Sequence, residues 1–238
     1  MALHATPTPQ AAAWPDPALA RVRLLQLVSP TLPIGAFSYS QGLEWAVERG
    51  WVGDAAGLQA WLGELLDTTL AHTDLPLLAR LHAAADTHDH ATFAALAAEA
   101  LAWRETAELR AEERHKGRAL GAVLDALDTG LPEAWRRAVT SGYLAGFGWA
   151  CAHWAIPVAA AAEGYAYGWL ENQVIAAVKL VPLGQSAGQQ VLHRLAARLP
   201  DLVDHALARS DAEIGASAAA LAIASARHES QYTRLYRS

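Results

Sequence analysis

Ten histidines, one cysteine and scattered hydroxyls and carboxylates are the chain's material for chemistry, and their spacing assembles little of it. His88-Asp89-His90 is the tightest grouping of metal-ligating side chains. Two imidazoles at i and i+2 of one loop do not close a coordination sphere, so a solvated loop is the simpler reading, and His88 and His90 stand as weak metal candidates. No His-Glu-x-x-His pair, paired-cysteine site or Asp-rich box accompanies them. Cys151 and His153 lie two apart in an apolar stretch and read as core. Ser38 and Ser40 have no base near them in sequence, and no Gly-x-Ser-x-Gly elbow surrounds them. Glu44 and Glu48 have the i, i+4 spacing of a carboxylate pair, yet Arg49 adjoins them and exposure explains both. Gly184-Gln185-Ser186-Ala187-Gly188 has the glycines of a phosphate loop without its Lys-Ser/Thr or its preceding strand. Arg234 and Arg237 have the character of an arginine finger offered to a nucleotidase; binding a carboxylate surface is the simpler role. No catalytic set emerges.

The elements around these residues read as helices. Leu24, Leu25, Leu27 and Val28 form a stripe that ends at Ser29-Pro30. From Ser29 to Glu44 the two further markers Pro33 and Gly35 enforce a stiff loop, since proline lacks an N–H and fixes φ. Leu32, Ile34 and Phe37 press that loop onto a core. Ser38 and Gln41 have the spacing of a capping box for a helix that stops near Gly50. Asp54 caps the next helix, Thr73 or Asp74 another with Pro76 in its first turn, and Phe93, Leu96 and Leu101 continue after the polar Asp86–His90 loop. The helix between Trp103 and Leu127 carries the densest mixed charge, which predicts a solvated face. Gln185 or Ser186 opens a helix that Pro200 ends, and Asp201 and Asp211 open two more, the last reaching Arg227. No stretch alternates as a strand does. The expectation is an all-α single domain of about ten helices: a disordered leader over 1–18, a helical domain over 19–227 and an extended tail over 228–238.

Composition narrows the classes. The chain has 238 residues, 53% hydrophobic, with a formal net charge of −6 and no long basic run, which argues against nucleic acid. A single cysteine excludes an internal disulfide and fits a reducing compartment; with no secretory signal, the expected address is the cytoplasm. Ser141–Leu170 is apolar enough to suggest a membrane span, but Pro157 divides it and no basic flanks set a topology. Glycines at four-residue spacing, Gly142/Gly146 and Gly164/Gly168, instead predict two buried, closely packed helices, one of them at a homodimer seam. The end of the chain, with Tyr232, Leu235, Tyr236 and the arginines 227, 234 and 237, has interface composition rather than linker composition.

Three stretches, Ser29–Glu44, Val178–Gln190 and His228–Ser238, together resemble the UreF family of urease accessory proteins, with likeness extending from Leu24 to Ser238. The resemblance implies an all-helical homodimer without catalysis or a cofactor of its own. It would join UreD (also called UreH) and the GTPase UreG in a complex that inserts nickel into apo-urease. Carried over residue by residue, Gln231, Tyr232, Arg234, Leu235, Tyr236 and Arg237 would order against UreD. Glu44, Lys179, Gln185 and Gln189 would face UreG or line the route of the metal. Ala36 stands where the family commonly has a second glycine, and His115-Lys116 replaces a smaller, less charged pair. Two other classes stay open from the residues alone: an α-helical enzyme using the Ser38/Glu44 region, and a helical membrane-associated protein built on Ser141–Leu170.

Overall fold

Long runs of Leu and Ala at helical spacing, broken by Gly, Pro and Asp, produce a bundle of helices and, among the described residues, no strand. The computed structural model describes residues 16–238. The expected leader lies outside them except at its end, where α1 (Pro17–Leu27) has already begun; Asp16 caps it by accepting from the Ala18 N–H at 2.8 Å. Then come α2 (Leu43–Glu48), α3 (Ala55–Leu65), α4 (Leu75–Asp86), α5 (His90–Ala102), α6 (Ala107–Ala126) and α7 (Glu133–Val139). The chain continues with α8 (Tyr143–His153), α9 (Val158–Leu180), α10 (Gln185–Ala196), α11 (Leu199–Leu207) and α12 (Ala219–His228).

The core follows from two apolar helices. Every residue of α8 from Leu144 to Cys151 is buried, because the helix lies between α4 and α6. The longer α9 packs against α10, α11, α4 and α2. The glycines at four-residue spacing let helices of this same chain approach. A Cβ on Gly117 of α6 would come within 2.6 Å of the Gly142 backbone, so α6 crosses the start of α8 at glycine-to-glycine contact. Gly164 and Gly168 of α9 receive Leu24 of α1 and Val28, the residue that ends it. No described helix is long and apolar enough to cross a membrane.

Four local expectations differ from the structure, three of them because longer-range interactions intervene. Ser38 does not open a helix: Ala36–Ser38 is a single 3₁₀ turn, and α2 starts after Gly42, whose φ is +78°. No cap breaks the chain at Thr73 or Asp74, because α3 runs through a π-helical segment, Leu66–Asp74, directly into α4. The Asp74 carboxylate is instead held by Arg104 at 2.8 Å. At Asp211 only a 3₁₀ turn forms; Gly215 at φ +113° lies against the Trp103 ring, leaving no room for a side chain, and α12 begins at Ala219. His153 is exposed rather than core, stacked face to face on Trp149 with centroids 4.8 Å apart.

The charged helix α6 holds the largest departure. Leu109, Gly117, Leu120 and Leu124 define its inward stripe, and Glu112 and Glu113 fall on that stripe, both buried. Glu113 Oε1 accepts from the Leu144 N–H at 2.7 Å, supplying α8 with the N-terminal acceptor that Gly142 lacks. Its other oxygen lies 3.2 Å from Arg104. Burial pushes Asp74 up, with Arg104 opposing, while the Arg104 guanidinium, desolvated but set between Asp74 and Glu113, is held well above its ordinary value. Tyr165 completes the group by donating to Asp74 at 3.4 Å.

Candidate partner-binding site

The first and last of the three singled-out stretches meet in space. Gln41 and Gly42 both have positive φ, 53° and 78°, which turns the loop sharply into α2. Glycine is required at the second position, because a Cβ there would meet the Ser225 backbone nitrogen of α12 at 2.8 Å. The Gln41 amide cannot form a capping box because it is engaged inside. It accepts from Trp169 Nε1 at 2.8 Å and donates to Glu112 at 2.9 Å. Ser40, fully buried, does the local work, accepting from the Glu44 N–H at 3.3 Å.

Glu44 is therefore turned inward, not exposed beside Arg49; its residue is 7% accessible. One carboxylate oxygen accepts from the Leu235 N–H at 2.6 Å and the other from the Tyr236 N–H at 2.9 Å. His228, the last residue of α12 and completely buried, sets Nε2 3.2 Å from Glu44 and Nδ1 2.7 Å from Glu108. The second Glu108 oxygen takes Arg234 at 2.8 Å. Beyond this group the Arg237 N–H donates to the Ser38 carbonyl at 2.9 Å, and the Ser40 N–H to Ser238 O at 2.8 Å. Ser238 Oγ donates to Glu112 at 3.1 Å. Burial, then the Glu44 charge, raises the Tyr236 phenol.

The segment laid down in this way has two faces. Tyr236 and Ser238 are buried and Gln231 is half-buried, whereas Tyr232 is 103% exposed, Leu235 66%, and Arg234 and Arg237 are exposed. Tyr236 Oη and Gln231 Oε1 are buried without a hydrogen-bond partner among the described residues. The middle stretch lies elsewhere. Lys179 in the last turn of α9 and Gln185 and Gln189 on α10 are all exposed around the Pro182–Gly184 corner, with Gly188 packed on Val178 and Val174. His88 and His90 are exposed on either side of Asp89, with His90 edge-on to Trp135, and no group of three or more metal-ligating side chains exists among the described residues.

Among the described residues no histidine or carboxylate side chain is hydrogen-bonded to the Ser38 or Ser40 hydroxyl. Ser40 Oγ donates to Ser238 O at 2.5 Å, and both nitrogens of His228 are taken by carboxylates. Beneath the site, a cavity of about 60 Å³ is lined by Gln41 and by Asp74, Arg104, Glu112, Glu113 and Lys116, whose charges are already paired with each other. Sequence reasoning missed Glu108, Glu112, Glu113, Arg104 and the bridging role of His228. The inward stripe Leu109-Glu113-Gly117-Leu120-Leu124 was the available signal for Glu113.

The geometry defines a class: an all-helical, single-domain protein whose terminal segment is folded over buried acids and turns aromatic, aliphatic and arginine side chains outward. Residues 52–196 match the family model described as UreF. A protein of Pseudomonas entomophila named urease accessory protein UreF is 51% identical over 220 residues, covering 92% of this chain and 98% of its own. Proteins of the same name from Alcanivorax borkumensis (51% over 222 residues; 91% and 97% covered) and Klebsiella pneumoniae (45% over 218; 92% and 97%) align over equal extents. The chain belongs to the UreF family.

Proposed function

We propose that this chain is a non-enzymatic accessory protein of urease maturation that captures UreD through its terminal segment and presents UreG with the corner between α9 and α10. In this reading the assembled complex delivers nickel, its cargo, to apo-urease in the cytoplasm. The observation that carries it is the outward face of residues 231–238. Tyr232 is 103% and Leu235 66% exposed among the described residues, and an exposed tyrosine beside arginines is the composition of interface hot spots. Arg234 and Arg237 supply the charge, although Arg234 already pairs with Glu108.

Lys179, Gln185 and Gln189 are accessible for a GTPase-facing role. Glu44 is not, and reaches a partner only through the segment lying on it. A homodimer has a surface available on α1, where Leu19, Val22 and Leu25 are exposed at spacings of three. The relatives' shared name supports the urease assignment at the level of the pathway. Co-expression with a urease cluster lacking its own copy of this gene tests the proposal. Active urease should appear only when the chain is supplied, and equal activity without it would refute the assignment. Turnover of a small substrate by the isolated chain would favour the enzyme reading instead.

A further inference from the structure

We propose that Glu44 is a positioning residue: its buried carboxylate, braced by His228 and Glu108, fixes the backbone at Leu235 and Tyr236 so that the terminal segment is laid out before any partner arrives. The resemblance to the UreF family implies a segment that becomes ordered against UreD; the hydrogen bonds here give it an ordered path on its own chain.

Three observations converge. A carboxylate accepting one N–H on each oxygen from consecutive residues constrains both peptide planes, and charged acceptors make the stronger hydrogen bonds. The Glu44 side chain is only 8% accessible, so water competes poorly for those oxygens. His228 then ties Glu44 to Glu108, and Glu108 returns to the segment through Arg234. These contacts close a ring around residues 229–234. The backbone pairing of Arg237 and Ser238 with Ser38 and Ser40 extends the same path to the end of the described chain. The ring joins residues up to 192 positions apart and draws on α2, α6 and α12.

The consequence for recognition rests on the function proposed above. A partner meeting a preformed surface loses less conformational freedom on binding than one that must order a free tail. Glu44 then influences capture without touching the partner.

Hydrogen–deuterium exchange resolved to single amides, on the free full-length chain, tests the clasp. In the unaltered protein the Leu235 and Tyr236 amides should be protected relative to that of Tyr232. Glu44→Ala should speed both by about 10- to 100-fold while α8 and α9 keep their protection. Glu44→Gln, which retains one carbonyl acceptor, should fall between, and it carries the same test if the alanine variant loosens the body. Rapid exchange at both amides in the unaltered chain, or no change in either variant, would overturn the proposal. Because no partner is present, the readout separates the two claims. Failure of the unaltered chain to capture UreD would remove the partner reading and leave the clasp standing, whereas unchanged protection removes the clasp alone.

Discussion

Arg104→Ala is expected to lower folding stability by about 3–5 kcal/mol, the range for breaking a buried ion pair by deleting one partner. The guanidinium is 11% accessible and sits 2.8 Å from Asp74 and 3.2 Å from Glu113, on acids that are themselves 5% and 7% accessible. Removing it leaves two carboxylates desolvated on the seam where α6, α8 and the π-helical segment join. The loss has a defined pH dependence. Burial already raises Asp74 above 3.8, and Arg104 is the largest influence holding it down. Without Arg104 the native state binds this proton more readily than the unfolded chain does. Stability of the variant therefore falls as pH rises from the unfolded value through the raised native one, and its deficit is smallest in acid. Asp74→Asn added to Arg104→Ala should recover part of the loss at neutral pH, since the uncompensated charge is then gone. Thermal and urea unfolding from about pH 4 to pH 8 checks all three statements.

Replacing Tyr232 and Leu235 together by alanine should weaken UreD capture by about 100-fold or more, corresponding to about 2.8 kcal/mol. Fully burying one such side chain contributes roughly 1.5–3 kcal/mol, and both begin exposed, so the whole change is available to the interface. Neither side chain enters the ring around Glu44, whose hydrogen bonds to Leu235 and Tyr236 come from the backbone. The unfolding midpoint of the free chain should therefore stay unchanged within about 1 °C. A titration by calorimetry gives the affinity, and equal affinities for the two proteins would remove these side chains from the interface.

Elements set by local chemistry were legible in the sequence. Asp54 caps α3 through the Gly57 N–H at 2.8 Å, Gly50 follows α2 with φ +76°, and α10 opens at Gln185. In each case the deciding atoms lie within a few residues. Elements set by distant partners were not. Asp74 has the sequence of a cap and serves as the counter-charge of a residue 30 positions on. Gln41 fits a capping box and is claimed by Trp169, 128 positions away. Glu44 beside Arg49 reads as surface until His228, 184 positions later, is folded over it. The stretches from 29 to 44 and from 228 to 238 stand out by composition, but that they form one site follows only from the packing of α2 against α12.

The direct measurement is co-purification of UreD with a chain lacking Gln231–Ser238. The shortened protein should keep the helical circular dichroism of the full chain, because α4, α8 and α9 pack on one another outside that segment, and it should retain no UreD. Recovery of UreD at the yield of the full-length chain would contradict the account.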